Sequence, residues 1–126
     1  MIVVDTDVLV NHLRGNQATR DWLEAARMSG PLAVSVVTVA ELTGGMRSGE
    51  RQGVWRLLSA LQAVGVSELV ARRAGELMRA YRRSHQGIAL GDYLIAATAL
   101  ELGARLATMN VKHFPVFPDL RPPVTV

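Results

Sequence analysis

Apolar residues along this chain fall into short β-type runs that alternate with longer stretches of helical spacing. Ile2–Val4 is the first run, and residues 6–15 then carry apolar side chains at helical intervals. A second helix is predicted over residues 17–28, broken by Gly30 and Pro31, and residues 32–36 are the next strand candidate. The chain therefore begins as strand, two helices and strand.

Thr38 is predicted to open a third helix that reaches about Arg47, and Ser48 and Gly49 separate it from a fourth over residues 50–62. Residues 63–66 are a weak strand candidate. Ser67 can cap a long fifth helix with one apolar and one charged face; a solvated surface is the ordinary role of such a charged face, and an RNA-binding groove is the alternative. The apolar face carries Val70, Ala74, Leu77, Met78 and Tyr81, and the charged face Arg72, Glu76, Arg79 and Arg83.

Residues 89–102 are apolar or small nearly all round a helix, which predicts a central, buried helix that ends at Gly103. Residues 105–107 supply a fourth strand, Asn110 caps a short turn, and the proline-rich end from Pro115 allows at most a short edge strand. Alternating strands and helices favour an α/β fold with a parallel sheet of four to five strands covered on both faces. We predict a single domain over residues 1–126.

The composition restricts the compartment and the chemistry. The chain has 126 residues, which suits one domain, and no cysteine, which excludes disulfides and thiolate metal sites. The longest uncharged run, residues 28–40, is shorter than the roughly 20 residues that span a bilayer. We therefore expect a cytoplasmic protein without a membrane segment.

Three acidic residues stand in apolar surroundings: Asp5 follows Ile2–Val4, Glu41 ends an apolar stretch, and Asp92 precedes another. A buried carboxylate needs a cation or hydrogen-bond donors, and these segments contain no lysine or arginine. Ligands of parallel sheets gather beyond the carboxyl ends of the strands, where all three acids are expected. We interpret them as ligands of one divalent metal.

Helix capping is the alternative for each acid. Thr38 and Glu41 have the spacing of a capping box, Asp5 and Asp7 can cap the first helix, and Asp92 lies in a first helical turn. Several like charges at one sheet edge favour a cation, and hard oxygen ligands suit Mg²⁺ or Mn²⁺ rather than zinc. The three histidines, His12, His85 and His113, show no paired ligand spacing.

Such a carboxylate cluster suits phosphodiester hydrolysis, in which a metal activates water and offsets phosphate charge.

The net charge is +3, with thirteen arginines and one lysine. A genomic preference for arginine codons explains that bias by itself. If Asp5, Asp7, Glu41 and Asp92 share one metal-loaded pocket, however, the remaining surface is more basic than the total implies and would attract a polyanion. Arg14, Arg47 and Arg83 are our candidates for contacts to an RNA backbone.

Four segments stand out in order: residues 2–9 (IVVDTDVL), 35–42 (SVVTVAEL), 87–100 (GIALGDYLIAATAL) and 106–114 (LATMNVKHF). Together they resemble the PIN-domain ribonucleases, and within them the VapC toxins of bacterial toxin–antitoxin pairs. The likeness covers nearly the whole chain. It implies a PIN-like three-layer α/β/α sandwich and a Mg²⁺- or Mn²⁺-dependent endoribonuclease that leaves a 5′ phosphate and a 3′ hydroxyl.

The resemblance also implies roles for particular residues. Asp5, Glu41 and Asp92 would be the metal ligands, and Asn110 stands where many relatives carry a fourth acid, so that it would orient a metal-bound water. Thr6 and Thr108 look like hydroxyls that support the ligands, with Asp7 bonding within the site or capping the helix. His113 is expected near the site and Phe114 in the core.

Partners follow from the resemblance alone. It implies a homodimer, an antitoxin that masks the acidic pocket, and structured cellular RNA, often tRNA or ribosomal RNA, as the substrate.

Three alternatives remain open. The chain could be a PIN-like domain that binds RNA or a protein partner without catalysis. The Asp5-Thr6-Asp7 sequence also resembles haloacid-dehalogenase phosphatases, although their later lysine and paired aspartates are missing in order. A phosphoacceptor receiver module would need an aspartate after the third strand, where this chain has Ser67 and Glu68.

Overall fold

A computed structural model describes residues 1–125. Four strands alternate with six helices, and 3₁₀ turns cover Ser48–Glu50 and Val111–His113. In chain order the elements are β1 Ile2–Val4, α1 Thr6–Leu13, α2 Gln17–Ser29, β2 Leu32–Ser35, α3 Val36–Gly45, α4 Arg51–Ser59, β3 Gln62–Val64, α5 Glu68–Tyr81, α6 Leu90–Leu102 and β4 Arg105–Ala107.

The four strands form one sheet in the order β3-β2-β1-β4, with every pairing parallel. Val3 of the central strand β1 is in register with Ala33 on one side and Leu106 on the other. The predicted parallel sheet is confirmed, with four strands among residues 1–125. No strand forms over residues 115–125, so the optional edge strand is not made there.

Side chains of successive strand residues enter two separate cores. Val3 and Leu106 lie in a core with α5 and α6, whereas Val4 and Val34 lie in a core with α1 to α4. This alternation is the two-residue period of a strand, and it covers both faces of the sheet with helices. The three-layer α/β/α sandwich is confirmed.

Helix ends mostly follow the predicted caps. The Ser67 hydroxyl accepts the Val70 N–H at 3.1 Å to start α5, and Gly103 ends α6 with a positive φ of 62°. The start of α3 was predicted wrongly, because the Ser35 hydroxyl caps the helix by accepting the Val37 N–H at 3.0 Å. The fourth helix is shorter than predicted, since it ends at Ser59 and Gln62 begins β3.

The predicted central helix, α6, packs against α5 and buries nearly its whole middle section, from Ile95 to Ala99. Phe114 is 1% exposed and packs in the same core, as predicted. Among residues 1–125, no helix has the length and apolar character that crossing a membrane requires.

Candidate active site

One cleft at the carboxyl edge of the sheet receives all the predicted acids. Asp5 follows β1 directly, Asp7 lies in the first turn of α1, Glu41 in α3 and Asp92 in the first turn of α6. The cleft has a volume of about 350 Å³. We call it the acidic cleft, and it is lined by Asp5, Thr6, Asp7, Val10, Asn11, Arg14, Glu41, Asp92 and Asn110.

Asp5 is the most deeply buried of the acids, with 5% of its surface exposed. Its Oδ1 accepts the Thr6 N–H at 2.8 Å, which caps α1, and its Oδ2 accepts the Thr108 hydroxyl at 2.7 Å. Burial, and then the charge of Asp7, raise the pKa of Asp5 to about 7, although both hydrogen bonds act in the opposite direction. The buried carboxylate therefore has hydrogen-bond donors but, among residues 1–125, no ion pair with a basic side chain to balance its charge.

Asp7 joins α1 to the segment after β4. The Met109 N–H lies 3.2 Å from both of its oxygens, and the Thr108 hydroxyl lies 3.4 Å from Oδ2. Burial raises the pKa of Asp7, and these hydrogen bonds oppose the increase. Asp7 thus accepts hydrogen bonds from the segment after β4 rather than capping α1, where Asp5 is the cap.

Glu41 is exposed, and it bonds to α1 rather than to its own helix end. Its Oε1 accepts the Thr6 hydroxyl at 2.6 Å. The Thr6 and Thr38 hydroxyl oxygens lie 3.1 Å apart, and because a carboxylate only accepts, Thr6 donates to Glu41 and Thr38 donates to Thr6. The capping box predicted for Thr38 and Glu41 is therefore wrong, since Thr38 lies inside α3.

Asp92 is both a cap and a member of the cleft. Its Oδ2 accepts the Ala89 N–H at 3.1 Å, which completes the first turn of α6. The His113 Nδ1 lies 3.1 Å from the same oxygen, and the side-chain nitrogen of Asn110 lies 2.9 Å from His113 Nδ1. Asn110 also bonds through its backbone N–H to the Thr108 hydroxyl at 3.0 Å.

The donor set of the acidic cleft fits a hard divalent cation. It presents carboxylate oxygens without thiolates, and the pKa of Asp5 is raised first by burial and then by the negative charge of Asp7. No three His, Asp or Glu side chains within the described part of the chain stand close enough together, as arranged, to hold a metal. Each carboxylate instead accepts hydrogen bonds from N–H or O–H groups of the chain.

Comparison with known proteins places this arrangement in a family. The family model described as the PIN domain matches residues 2–117. The chain belongs to the PIN-domain family. This membership favours the nuclease interpretation over the haloacid-dehalogenase and receiver alternatives.

Named relatives of this PIN domain come from Mycobacterium tuberculosis. Ribonuclease VapC10 is 60% identical over the whole of this chain and 95% of its own length. Ribonuclease VapC19 is 44% identical over 98% of this chain and 99% of its own length.

Solved structures with the same fold come from other bacteria. A toxin–antitoxin complex from Klebsiella pneumoniae has a TM-score of 0.82 at 26% identity, covering all of both chains. VapBC2 from Rickettsia felis, bound to a DNA fragment from its promoter, has a TM-score of 0.79 at 26% identity, covering 95% of this chain and 96% of its own.

The three candidate RNA-binding arginines of this PIN domain lie in different places. Arg14 lines the acidic cleft, and Arg47 lines an adjoining cavity of about 430 Å³ that shares Val10, Arg14 and Glu41 with the cleft. Arg83 is exposed and lines neither space.

Two features in or beside the acidic cleft were not predicted from the sequence. Asn11 lines the acidic cleft, and its spacing from Asp7 and Arg14 on one helical face was a usable signal. Gly91 lies where α6 approaches α3, and a Cβ there would meet Val37 Cγ1 at 3.3 Å and Glu41 Oε2 at 3.6 Å. Nothing in the sequence around Gly91 predicts that close approach.

Proposed function

We propose that this chain acts as a single-domain, Mg²⁺- or Mn²⁺-dependent endoribonuclease and as the toxin of a toxin–antitoxin pair. Its substrate is structured cellular RNA, such as tRNA or ribosomal RNA. The observation that carries the proposal is that Asp5, Glu41 and Asp92 line one cleft in a chain 60% identical to a named ribonuclease.

Asp5, Glu41 and Asp92 would hold the metal. When bound, it would activate a water molecule and offset charge on the phosphate during in-line attack. The chain's own contribution is orientation: Thr6 N–H and Thr108 fix Asp5, the Thr6 hydroxyl fixes Glu41, and backbone and side-chain donors fix Asp92.

Arg14 supplies the positive charge on the wall of the acidic cleft, where it would contact a phosphate of the RNA backbone. Arg47 extends this contact along the adjoining cavity. These contacts hold the RNA without reading its bases, so target choice depends on the shape of the RNA around the cleft.

A cognate antitoxin is part of the proposal, because structural neighbours at 26% identity were solved as toxin–antitoxin complexes. Masking of the acidic cleft by that antitoxin would prevent cleavage until it is released. We further propose that the chain forms a homodimer, which light scattering of the purified protein would test.

A non-catalytic binding domain is the second candidate. It is favoured by the capping roles of two acids, since Asp5 caps α1 and Asp92 bonds back to the start of α6. In that case the acids would serve the fold alone.

Cleavage of total cellular RNA by the antitoxin-free protein separates the two candidates. We expect Mn²⁺ or Mg²⁺ to support cleavage with 5′ phosphate ends, and EDTA to stop it. Asp92→Asn should lower the rate at least about 100-fold, because it removes a proposed metal ligand. Asp119→Asn is the matched control, since Asp119 is exposed and lines no part of the acidic cleft.

RNA binding without any cleavage by the wild-type protein would support the non-catalytic domain. Equal rates for Asp92→Asn and the wild-type protein would contradict the assigned site.

A further inference from the structure

The hydrogen bonds around His113 require one particular form of its ring. Asp92 Oδ2 lies 3.1 Å from His113 Nδ1, and an ionised carboxylate can only accept hydrogen bonds. A hydrogen must therefore reside on Nδ1. In the neutral ring this is the tautomer with a bare Nε2.

The same ring form decides the orientation of Asn110. Its side-chain nitrogen lies 2.9 Å from His113 Nδ1, so two donors would face each other. The oxygen and nitrogen of an asparagine amide are interchangeable in shape, and the hydrogen-bond network decides between them. Turning the amide places Oδ1 against His113, and the Nδ1–H is then shared between Asp92 and Asn110.

The backbone holds the His113 ring in this position. His113 belongs to the 3₁₀ turn Val111–His113, and its N–H bonds to the Asn110 carbonyl at 3.0 Å. Phe114, the next residue, is buried in the core. The side chains of His113 and Asp92 are only 32% and 22% exposed, so competition from water is reduced.

We propose that His113 is a positioning residue for Asp92, an inference that rests on the proposed function. Its Nδ1–H and the Ala89 N–H both bond to Oδ2, which leaves Oδ1 without a hydrogen bond from residues 1–125. Asp92 is thereby held with one oxygen committed to the protein and the other available to a metal ion. The Asn110 side-chain oxygen, Oδ1, accepts from His113. The side-chain NH₂ of Asn110 is therefore the group that can donate to an RNA phosphate.

Mn²⁺ titration calorimetry on the full chain, without RNA, tests this role. His113→Phe keeps a ring of similar size but removes the donor, and we expect the Mn²⁺ affinity to fall about 10-fold. His113→Asn restores an amide N–H near the position of Nδ1, so the affinity should stay within about 3-fold of the wild-type value. His85→Phe is the matched control, because His85 contacts Tyr81 and Ser84 outside the acidic cleft.

NMR supplies a second readout that does not depend on metal. Long-range ¹H–¹⁵N spectra of the metal-free protein at pH 8 should show the His113 hydrogen on Nδ1. A hydrogen on Nε2 would overturn the proposal, as would wild-type Mn²⁺ affinity in His113→Phe. Equal losses in His113→Phe and His113→Asn would also overturn it, because ring packing rather than the donor would then matter.

The wild-type titration separates this inference from the proposed function. If the wild-type protein and Asp92→Asn both bind no Mn²⁺, the metal-dependent nuclease is refuted and the role of His113 with it. If the wild-type protein binds Mn²⁺ and Asp92→Asn does not, the proposed function stands, and the comparison of the His113 variants alone decides the inference.

Discussion

Asp5→Asn should stabilise the metal-free protein at neutral and alkaline pH. Asp5 is 5% exposed, and burial together with Asp7 raises its pKa from 3.8 to about 7. At 1.36 kcal/mol for each pH unit, that difference corresponds to a cost of about 4 kcal/mol for keeping the buried side chain ionised.

The pH dependence follows from the direction of the shift. Folded protein binds the Asp5 proton more tightly than unfolded protein, so the cost is absent below pH 3.8, grows up to about pH 7 and is constant above it. Asparagine has a single acceptor, Oδ1, which can take the Thr6 N–H, and its Nδ2 must donate to Thr108 Oγ1 where the carboxylate accepted, so the exchange loses about 1 kcal/mol or more of hydrogen-bond strength. We expect a net gain of about 2–3 kcal/mol at pH 8 and a difference within about 1 kcal/mol at pH 4.

Urea unfolding from pH 4 to pH 8.5 in EDTA measures the free energy of unfolding of the wild-type protein and of Asp5→Asn. Asp119→Asn is the control, because it makes the same substitution at an exposed position outside the acidic cleft. A wild-type minus Asp5→Asn difference that stays flat over this range would refute the reasoning. A net loss above about 1 kcal/mol at pH 8 would do the same, because the hydrogen bonds would then outweigh the burial of charge.

Three further substitutions test the site. Thr108→Val removes the hydroxyl that joins Asp5 to the Asn110 N–H, and urea unfolding should show a loss of about 1–3 kcal/mol. Gly91→Ala places a methyl group 3.3 Å from Val37 Cγ1, so α3 must give by a few tenths of an ångström and carry Glu41 with it. RNA cleavage should then slow about 10-fold while the free energy of unfolding stays within about 1 kcal/mol. Arg14→Ala should weaken RNA binding and reduce the magnitude of its logarithmic salt slope by about one.

Each of these variants has a matched control. Thr98→Val removes a buried hydroxyl that bonds only within α6, to the Leu94 carbonyl at 2.8 Å, and should cost less than about 1 kcal/mol. Gly75→Ala meets no atom within 4 Å and should leave cleavage unchanged. Arg121→Ala removes an arginine that does not line the acidic cleft and should not change the salt slope. Equal effects within any pair would contradict the role assigned to the cleft residue.

Much of the fold was predictable because the local signals for strands and helix ends agree with the rule that the carboxyl ends of parallel strands lie at one edge of the sheet. Short apolar runs marked the strands, Ser67 and Gly103 marked helix ends, and parallel strands placed Asp5 and Asp92 at one edge of the sheet. These features depend on residues near one another in sequence, or on a topology with few alternatives.

The bonding inside the site was not predictable, because it depends on pairs far apart in the chain. Glu41 could reach the start of its own helix or the Thr6 hydroxyl 35 residues away, and only the packing of α1 on α3 favours the latter. Ser35 replaced Thr38 as the cap because β2 ends one residue earlier than its apolar run suggested. The contact of His113 with Asp92 likewise requires the 3₁₀ turn after β4 to dock beside α6.

The bond between Asp5 and Thr108 joins residues 103 positions apart, and β4 pairs with β1 at the opposite end of the chain. During synthesis the amino end leaves the ribosome long before β4 exists. A nascent chain therefore carries Asp5 without the hydroxyl that orients it and Asp92 without His113. The bonds that orient Asp5 and Asp92 therefore form only after β4 and the turn that follows it have left the ribosome.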